Sequence, residues 1–160
     1  MASPQKRSAG LLLFRRTQVL EVFLAHMGGP FWHNKDAAAW TIPKGEFTGS
    51  EQPFDAAQRE FHEETGLTPE GTFFELRPVK QNSGKTVFAW ALEWDCDASR
   101  VKSNLFSMEW PKGSGKMQEF PEIDRAGWFT LKDARRKILK GQVPLLDQLE
   151  RLIATLPPRS

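Results

Sequence analysis

A single cysteine, Cys96, leaves the 160-residue chain unable to form an internal disulfide. No apolar run approaches the roughly 20 residues that span a bilayer. The apolar stretch from Ala9 to Phe14 is also too short for the core of a secretory signal. These absences point to a cytoplasmic protein with no membrane association. Neither charge sign is in excess: 22 Lys and Arg face 20 Asp and Glu, a formal net charge of +2 that neither demands nor excludes a polyanionic partner. Internal repeats and low-complexity segments are missing, which excludes a solenoid. With 39% apolar residues the chain can bury a core. The expectation is one domain over residues 1–160, with an ordered core over 7–156 and short flexible termini.

What is present reads as a sheet with helices. Ser8 to Arg15 carries the continuous apolar run Leu11, Leu12, Leu13, Phe14, as a strand covered on both faces does. After a turn at Arg15 to Gln18, Val19 to His26 alternates loosely and predicts a second strand paired back on the first. A loop from Met27 to Ala39 opens with Gly28-Gly29-Pro30 and holds Phe31, Trp32 and His33. Its aromatics point either to stacking of Trp32 on a base or to a plug at the edge of the core. Trp40 to Gly45 is a short strand stopped by Pro43.

Further along, Gly71 to Gln81 and Lys85 to Trp94 predict two strands about a tight turn at Asn82-Ser83-Gly84, the second apolar on both sides like a central strand. Asp95 and Asp97 read as a solvated loop in preference to a metal pair. Between Ser103 and Pro121, Phe106, Trp110 and Phe120 interleave with Lys112 and Lys116, which suits a nucleotide's base and phosphates, or equally a mobile loop over the sheet edge. Ala126 to Phe129 is a short strand. Leu131 to Lys140 and Val143 to Leu156 are helical, divided by Gly141, and the chain should fray at Leu156-Pro157-Pro158. The basic cluster Lys132, Arg135, Arg136, Lys137 and Lys140 is either a solvated helix face or a nucleic-acid contact.

The segment from Gly45 to Leu67 stands apart from the rest. Ser50 or Gln52 can cap a helix there, Pro53 suits its first turn, and Gly66 can close it in the left-handed conformation. Phe54, Ala57 and Phe61 recur at i, i+3 and i+7 and define the buried stripe. Glu60, Glu63 and Glu64 crowd the edge beside that stripe, with Ala56 leaving room next to them for a ligand. Each close pair of carboxylates costs about 0.2–0.5 kcal/mol. The negative end of the helix dipole adds about 0.3–1 kcal/mol for each. A divalent metal bound through oxygens would remove both penalties.

Gly45, Glu51, Arg59, Glu60, Phe61, Glu63, Glu64, Gly66 and Leu67 fill every fixed position of a Nudix box, and the segment resembles the Nudix hydrolase family. The flanking order, a hairpin before and Trp-x-x-Pro-Lys-Gly leading in, is similar across most of the chain. That resemblance implies an α/β fold, a Nudix-type α/β/α sandwich with a mixed sheet. It implies hydrolysis of a nucleoside diphosphate linked to another moiety, with Mg²⁺ or Mn²⁺.

The implied metal ligands and catalytic residues are Glu60, Glu63, Glu64 and, six residues before Trp128, Glu122, with Glu119 in reserve; the Lys44 backbone carbonyl is a further ligand. Lys44, Lys116, Trp32 and Phe120 are the candidate substrate contacts. Gly45, Glu51, Arg59 and Gly66 are structural, Glu51 bracing Arg59. Glu60 and Glu122 both remain candidates for the general base. A dinucleoside polyphosphate or a nucleoside triphosphate leads as substrate. Nucleotide-sugar or capped-RNA hydrolysis follows, and a non-catalytic nucleotide sensor is the rival from another class. Partners are a small nucleotide and, for assembly, a monomer or homodimer. Glu63→Gln should cut turnover strongly yet leave the metal-free fold intact or slightly stabilised; a steady-state assay beside a thermal melt checks this, and full activity or an unfolded variant would contradict it.

Overall fold

A computed structural model describes residues 6–158, so the outermost residues of the expected flexible termini, 1–5 and 159–160, lie outside the described residues. The apolar run of the first strand organises everything else. β1 (Arg7–Arg16) pairs antiparallel with β2 (Leu20–Met27) at its far end and with β4 (Lys44–Phe47) at its near end. On its other side it runs parallel to β7 (Thr86–Glu93) along its length. β3 (Trp40–Thr41) adds to β2, β5 (Phe73–Glu75) and β6 (Val79–Lys80) add to β7, and β10 (Ile123–Thr130) closes the far edge on β2. The result is an eight-stranded mixed sheet in the order β10-β2-β1-β7-β5, with the short strands at its margins.

Both faces of this sheet are covered because successive side chains of a strand point opposite ways. Leu11 and Leu13 pack against Ala56, Ala57 and Phe61 of α1 (Pro53–Thr65). Leu12 and Phe14 face Ala134 of α2 (Leu131–Lys137) and Leu145, Leu146 and Leu149 of α3 (Val143–Ile153). All four β1 residues are fully buried, each worth about 1.5–3 kcal/mol of burial. The architecture is a mixed sheet between helical layers, the sandwich expected.

Local details depart from the expectation for identifiable reasons. The strand expected from Gly71 to Gln81 breaks into β5 and β6 because Pro78 has no N–H for a ladder and the Arg77 N–H turns away to the Gln148 side chain, 2.7 Å off. The segment expected as a loop from Ser103 to Pro121 folds into a hairpin, β8 (Leu105–Glu109) on β9 (Met117–Pro121), whose tip uses Gly113 and Gly115 at positive φ. α2 stops at Lys137, three residues early, where Ile138 turns extended and buries itself. Leu156 packs on the core and the Pro157 carbonyl accepts from Arg16 at 2.8 Å, so the described end of the chain is tied down where fraying was expected. Ala56 is fully buried against the sheet and leaves no room for a ligand. Gln52 occupies the cap position of α1 without a side-chain cap bond, while Gly66 closes the helix at φ 77°.

The basic cluster is largely spoken for. Arg135 pairs with Asp147, Arg136 with Asp133 at 2.6 Å and Lys137 with Asp36 at 2.7 Å. These ion pairs make α2 a solvated, self-neutralised face and leave little for nucleic acid.

Glu122 sits at a junction of these elements. Its N–H donates to the Asn104 carbonyl and its own carbonyl accepts from Gly28 N–H, both at 2.9 Å. β10 is irregular between Ile123 and Arg125, a bulge that re-aims the strand just after Glu122. Gly28 is needed here for space, since a Cβ would stand 1.9 Å from the Pro121 carbonyl oxygen. Gly28→Ala should therefore lower the unfolding free energy by about 1–3 kcal/mol, the usual cost of overpacking. Urea denaturation measures it, and an unchanged midpoint would show that the junction is loose.

Candidate active site

The ladder between β1 and β4 sets Gly10, Ala9 and Ser8 opposite Lys44, Gly45 and Glu46. α1 lies across the end of this pair. The contact is close enough that a Cβ on Gly45 would stand 1.8 Å from Glu60 Oε2, so the glycine that opens the motif is the space in which the Glu60 carboxylate lies. Glu60 and Glu64 are buried at 8% and 5% exposure, whereas the Glu63 side chain keeps 38%. Together with Lys44, Lys85 and Glu122 these glutamates line one cleft of about 380 Å³. A separate hollow of about 320 Å³ lies at the start of α1, against Phe54, Phe88 and Trp90, and holds none of them.

One guanidinium organises the acids. Arg59 donates to both oxygens of Glu51 at 2.8 Å, the brace implied by the resemblance. It also donates to Glu60 Oε1 at 2.8 Å and to Glu63 Oε2 at 3.0 Å. Spacing had separated Glu51 from the other three; the structure joins Glu51, Glu60 and Glu63 through this one side chain. Arg59 holds the Glu51 carboxyl below the usual carboxylate range, and the repulsion between Glu60 and Glu63 is offset in the same way. Any stabilisation of the fold by Glu63→Gln is correspondingly smaller than spacing alone implies.

Glu64 has no such partner. Burial, the hydrogen bond it shares with Glu122, and the charges of Glu122 and Glu60 all push its carboxyl far above the usual range. Burial likewise raises Glu60, against the pull of Arg59. At the opposite wall burial pushes Lys44 down to about 8, although Glu64, Glu46 and Glu60 pull the other way. The cleft therefore holds more ionisable groups than it can keep charged unaided.

That donor set fits a hard divalent cation, which takes carboxylate and carbonyl oxygens. Glu60, Glu63, Glu64 and Glu122 supply the carboxylates. Two of them, Glu64 and Glu122, stand side by side, where a cation would offset their repulsion. Among the described residues no three acidic or imidazole side chains already stand at ligand spacing, because Arg59 holds Glu60 and Glu63. The fit lies in the chemistry of the donors and not in a preformed cage.

The other candidates separate in space. Glu119 lies on β9 opposite Ser107, exposed and away from the cleft, while Glu122 lines it. Lys116 is exposed near the hairpin tip, and Phe120 is half-buried against Phe106, 6.0 Å between ring centres. Neither lines the cleft wall. Trp32 packs against the core as the plug alternative had it; its neighbour Phe31, 62% exposed, meets the Trp32 ring edge-on at 5.1 Å and carries the Lys35 ammonium 3.5 Å over its face. Spacing missed Ser8, Asn104 and Lys85, all on the cleft wall, because each is an ordinary residue of a strand end or loop with no motif around it.

A sandwich with an acidic helix laid across a split sheet is an architecture shared with solved structures. A Caenorhabditis elegans Ap4A hydrolase binary complex superposes with a TM-score of 0.67 at 24% identity, covering 94% of this chain and 99% of that one. The NUDIX domain of Shewanella oneidensis NrtR complexed with ADP ribose gives 0.65 at 17% identity, covering 95% and 90%. At these identities the likeness concerns the fold. The family model for the NUDIX domain matches residues 4–149, and the chain belongs to the NUDIX domain family.

Among curated relatives, the asymmetrical bis(5'-nucleosyl)-tetraphosphatase of Mus musculus is 32% identical over 100 residues, 54% of this chain and 64% of that protein. An RNA pyrophosphohydrolase of Bartonella henselae is 36% identical over 64 residues, 40% of this chain and 37% of that protein. The matched part is thus less than two thirds of either relative's length.

The raised Glu64 carboxyl has a consequence for pH. A group whose pKa is higher folded than unfolded stabilises the fold fully below its unfolded value of 4.5, and that contribution is lost as pH rises from there toward the raised folded value. The metal-free protein should lose thermal stability from Glu64 across this window, and Glu64→Gln should flatten the slope. Thermal melts in EDTA at several pH values test it, and parallel slopes for the two proteins would contradict it.

Proposed function

We propose that the chain is a pyrophosphohydrolase that cleaves a phosphoric anhydride bond in a nucleoside diphosphate linked to another moiety, first of all a dinucleoside polyphosphate or a nucleoside triphosphate. The observation that carries this reading is the convergence of Glu60, Glu63 and Glu64 of α1 and Glu122, just before β10, with Lys44 in one cleft. Membership of the NUDIX domain family and the likeness to a dinucleoside tetraphosphatase support it.

Attack of water on phosphorus asks a protein mainly for positioning and charge neutralisation. Glu60, Glu63, Glu64, Glu122 and the Lys44 carbonyl would hold Mg²⁺ or Mn²⁺. A bound metal there supplies Lewis acidity toward phosphate and lowers the pKa of water. The protein's own groups do the rest. Lys44 contributes its ammonium to the phosphates. A cleft carboxylate, Glu60 or Glu122, accepts the proton of the attacking water. Arg59 keeps Glu60 and Glu63 aimed inward by fixing α1 to the loop through Glu51. Gly45 lets that carboxylate lie against β4.

The test is turnover of a panel of dinucleoside polyphosphates, nucleoside triphosphates, nucleotide sugars and capped RNA with Mg²⁺, read as released nucleotide or phosphate. Dinucleoside polyphosphates or triphosphates should give the highest kcat/KM. Preference for a nucleotide sugar or capped RNA would change the substrate class. No turnover of any of them, with tight nucleotide binding retained, would replace the enzyme with a nucleotide-binding sensor.

A further inference from the structure

Ser8 is anomalous in its strand. From Ser8 to Phe14 every residue of β1 is buried, and Ser8 is the one carrying a polar side chain. It is 0% exposed, and its Oγ is the one buried side-chain polar atom among the described residues that makes no hydrogen bond. An interior hydroxyl without a partner opposes folding, and alanine would fill the same place in the strand without that penalty.

Its surroundings indicate what the hydroxyl is for. Ser8 lies opposite Glu46 on β4 and opposite Val87 on β7, one register step from Thr86, the residue that follows Lys85. Directly opposed residues of antiparallel strands share a face, so Ser8 shares one with Glu46, and the next position on that face is the pair Gly10 and Lys44. Gly10 makes room for that lysine, because a Cβ there would stand 2.6 Å from Lys44 Cβ. Lys85 approaches from the other side and pairs with Glu46 at 3.0 Å. All four residues line the glutamate cleft. The cleft therefore carries both signs of charge: Glu60, Glu63, Glu64 and Glu122 share it with two ammonium groups, with Glu46 engaged by Lys85, and with a hydroxyl that has no partner.

A ligand for Ser8 and the two lysines must accept hydrogen bonds and carry negative charge, since ammonium groups only donate. A phosphate oxygen does both. We propose that Ser8 is a substrate-binding residue whose hydroxyl donates a hydrogen bond to a phosphate oxygen of the substrate's polyphosphate chain, beside Lys44 and Lys85. This rests on the pyrophosphohydrolase reading and adds to it a contact from β1, outside the acidic motif and its lysine.

The experiment separates the two ideas. Binding of inorganic tripolyphosphate with Mg²⁺ is measured by calorimetry for the unaltered protein, Ser8→Ala and Ser8→Cys, with adenosine as a control ligand lacking phosphate. KM and kcat for diadenosine tetraphosphate are measured in parallel. A hydrogen bond to a charged acceptor lost from a buried site should raise Kd and KM about tenfold or more. Both variants should leave kcat within about twofold and adenosine binding unaltered, and the ligand-free melting temperature of Ser8→Ala should be equal or higher, because the unpaired hydroxyl is gone. Unchanged Kd and KM in both variants would overturn the proposal while leaving the enzyme reading intact. A sharp fall in ligand-free stability for both variants would also overturn it, by showing that the hydroxyl serves the fold. If diadenosine tetraphosphate is not cleaved but tripolyphosphate binding still weakens in both variants, the enzyme reading fails and the phosphate contact stands.

Discussion

The contact between Glu60 and Gly45 is the constraint on which the rest of the site depends. A carboxylate can lie against β4 only because residue 45 has no side chain, and that closeness holds α1 across the split between β2 and β4 on the two ends of β1. Once α1 is there, Glu64 is forced inward beside Glu122 and Glu63 is left at the rim. Burial of acids at the C-terminal end of a helix is unfavourable on every count, from desolvation to the helix dipole. Arg59 compensates in the isolated chain by reaching three of the glutamates at once. A cation held by Glu60 and Glu63, as proposed, would compete with this guanidinium for their oxygens.

The cleft mixes the two signs of charge. α1 and the residue before β10 bring Glu60, Glu63, Glu64 and Glu122; β1, β4 and the residue before β7 bring Ser8, Lys44, Glu46 and Lys85. A polyphosphate carrying divalent cations is the ligand proposed for it. Neither set of residues alone distinguishes this arrangement from a solvated acidic helix or an ordinary sheet edge.

Away from the cleft, the two segments rich in aromatics come together. Gly29 has room for the Phe106 ring only because it lacks a Cβ, which would stand 2.8 Å from Cζ of that ring. The loop after β2 and the hairpin β8–β9 therefore meet at Gly28-Gly29, where Gly28 also holds Glu122. His26 adds a second tie, contacting Asp124 at 2.8 Å and the Lys35 carbonyl at 2.6 Å. The most distant carboxylate of the site is thus positioned by the same segments that present exposed rings, Phe31 among them.

Much of this was legible in one dimension. The spacing of Glu60, Glu63 and Glu64, the closing Gly66, the apolar run of β1 and the turn before β7 are local patterns, governed by helical and strand periodicity over a few residues, and they placed α1, the central strands and the acidic edge within a residue or two. The break in the strand at Pro78, the hairpin between Leu105 and Pro121 and the burial of Ala56 were not legible, because each depends on what a distant segment places opposite. Glu122 could be singled out only by resemblance; its place next to Glu64 follows from β10 pairing with β2 and from Gly28 accepting no side chain. Ser8 carried no signal in the chain at all. Its unpaired hydroxyl acquires meaning only when β1, β4 and β7 are zipped together and two lysines far apart in sequence arrive at its side, since a hydrogen-bond vacancy is a property of surroundings and not of residue type.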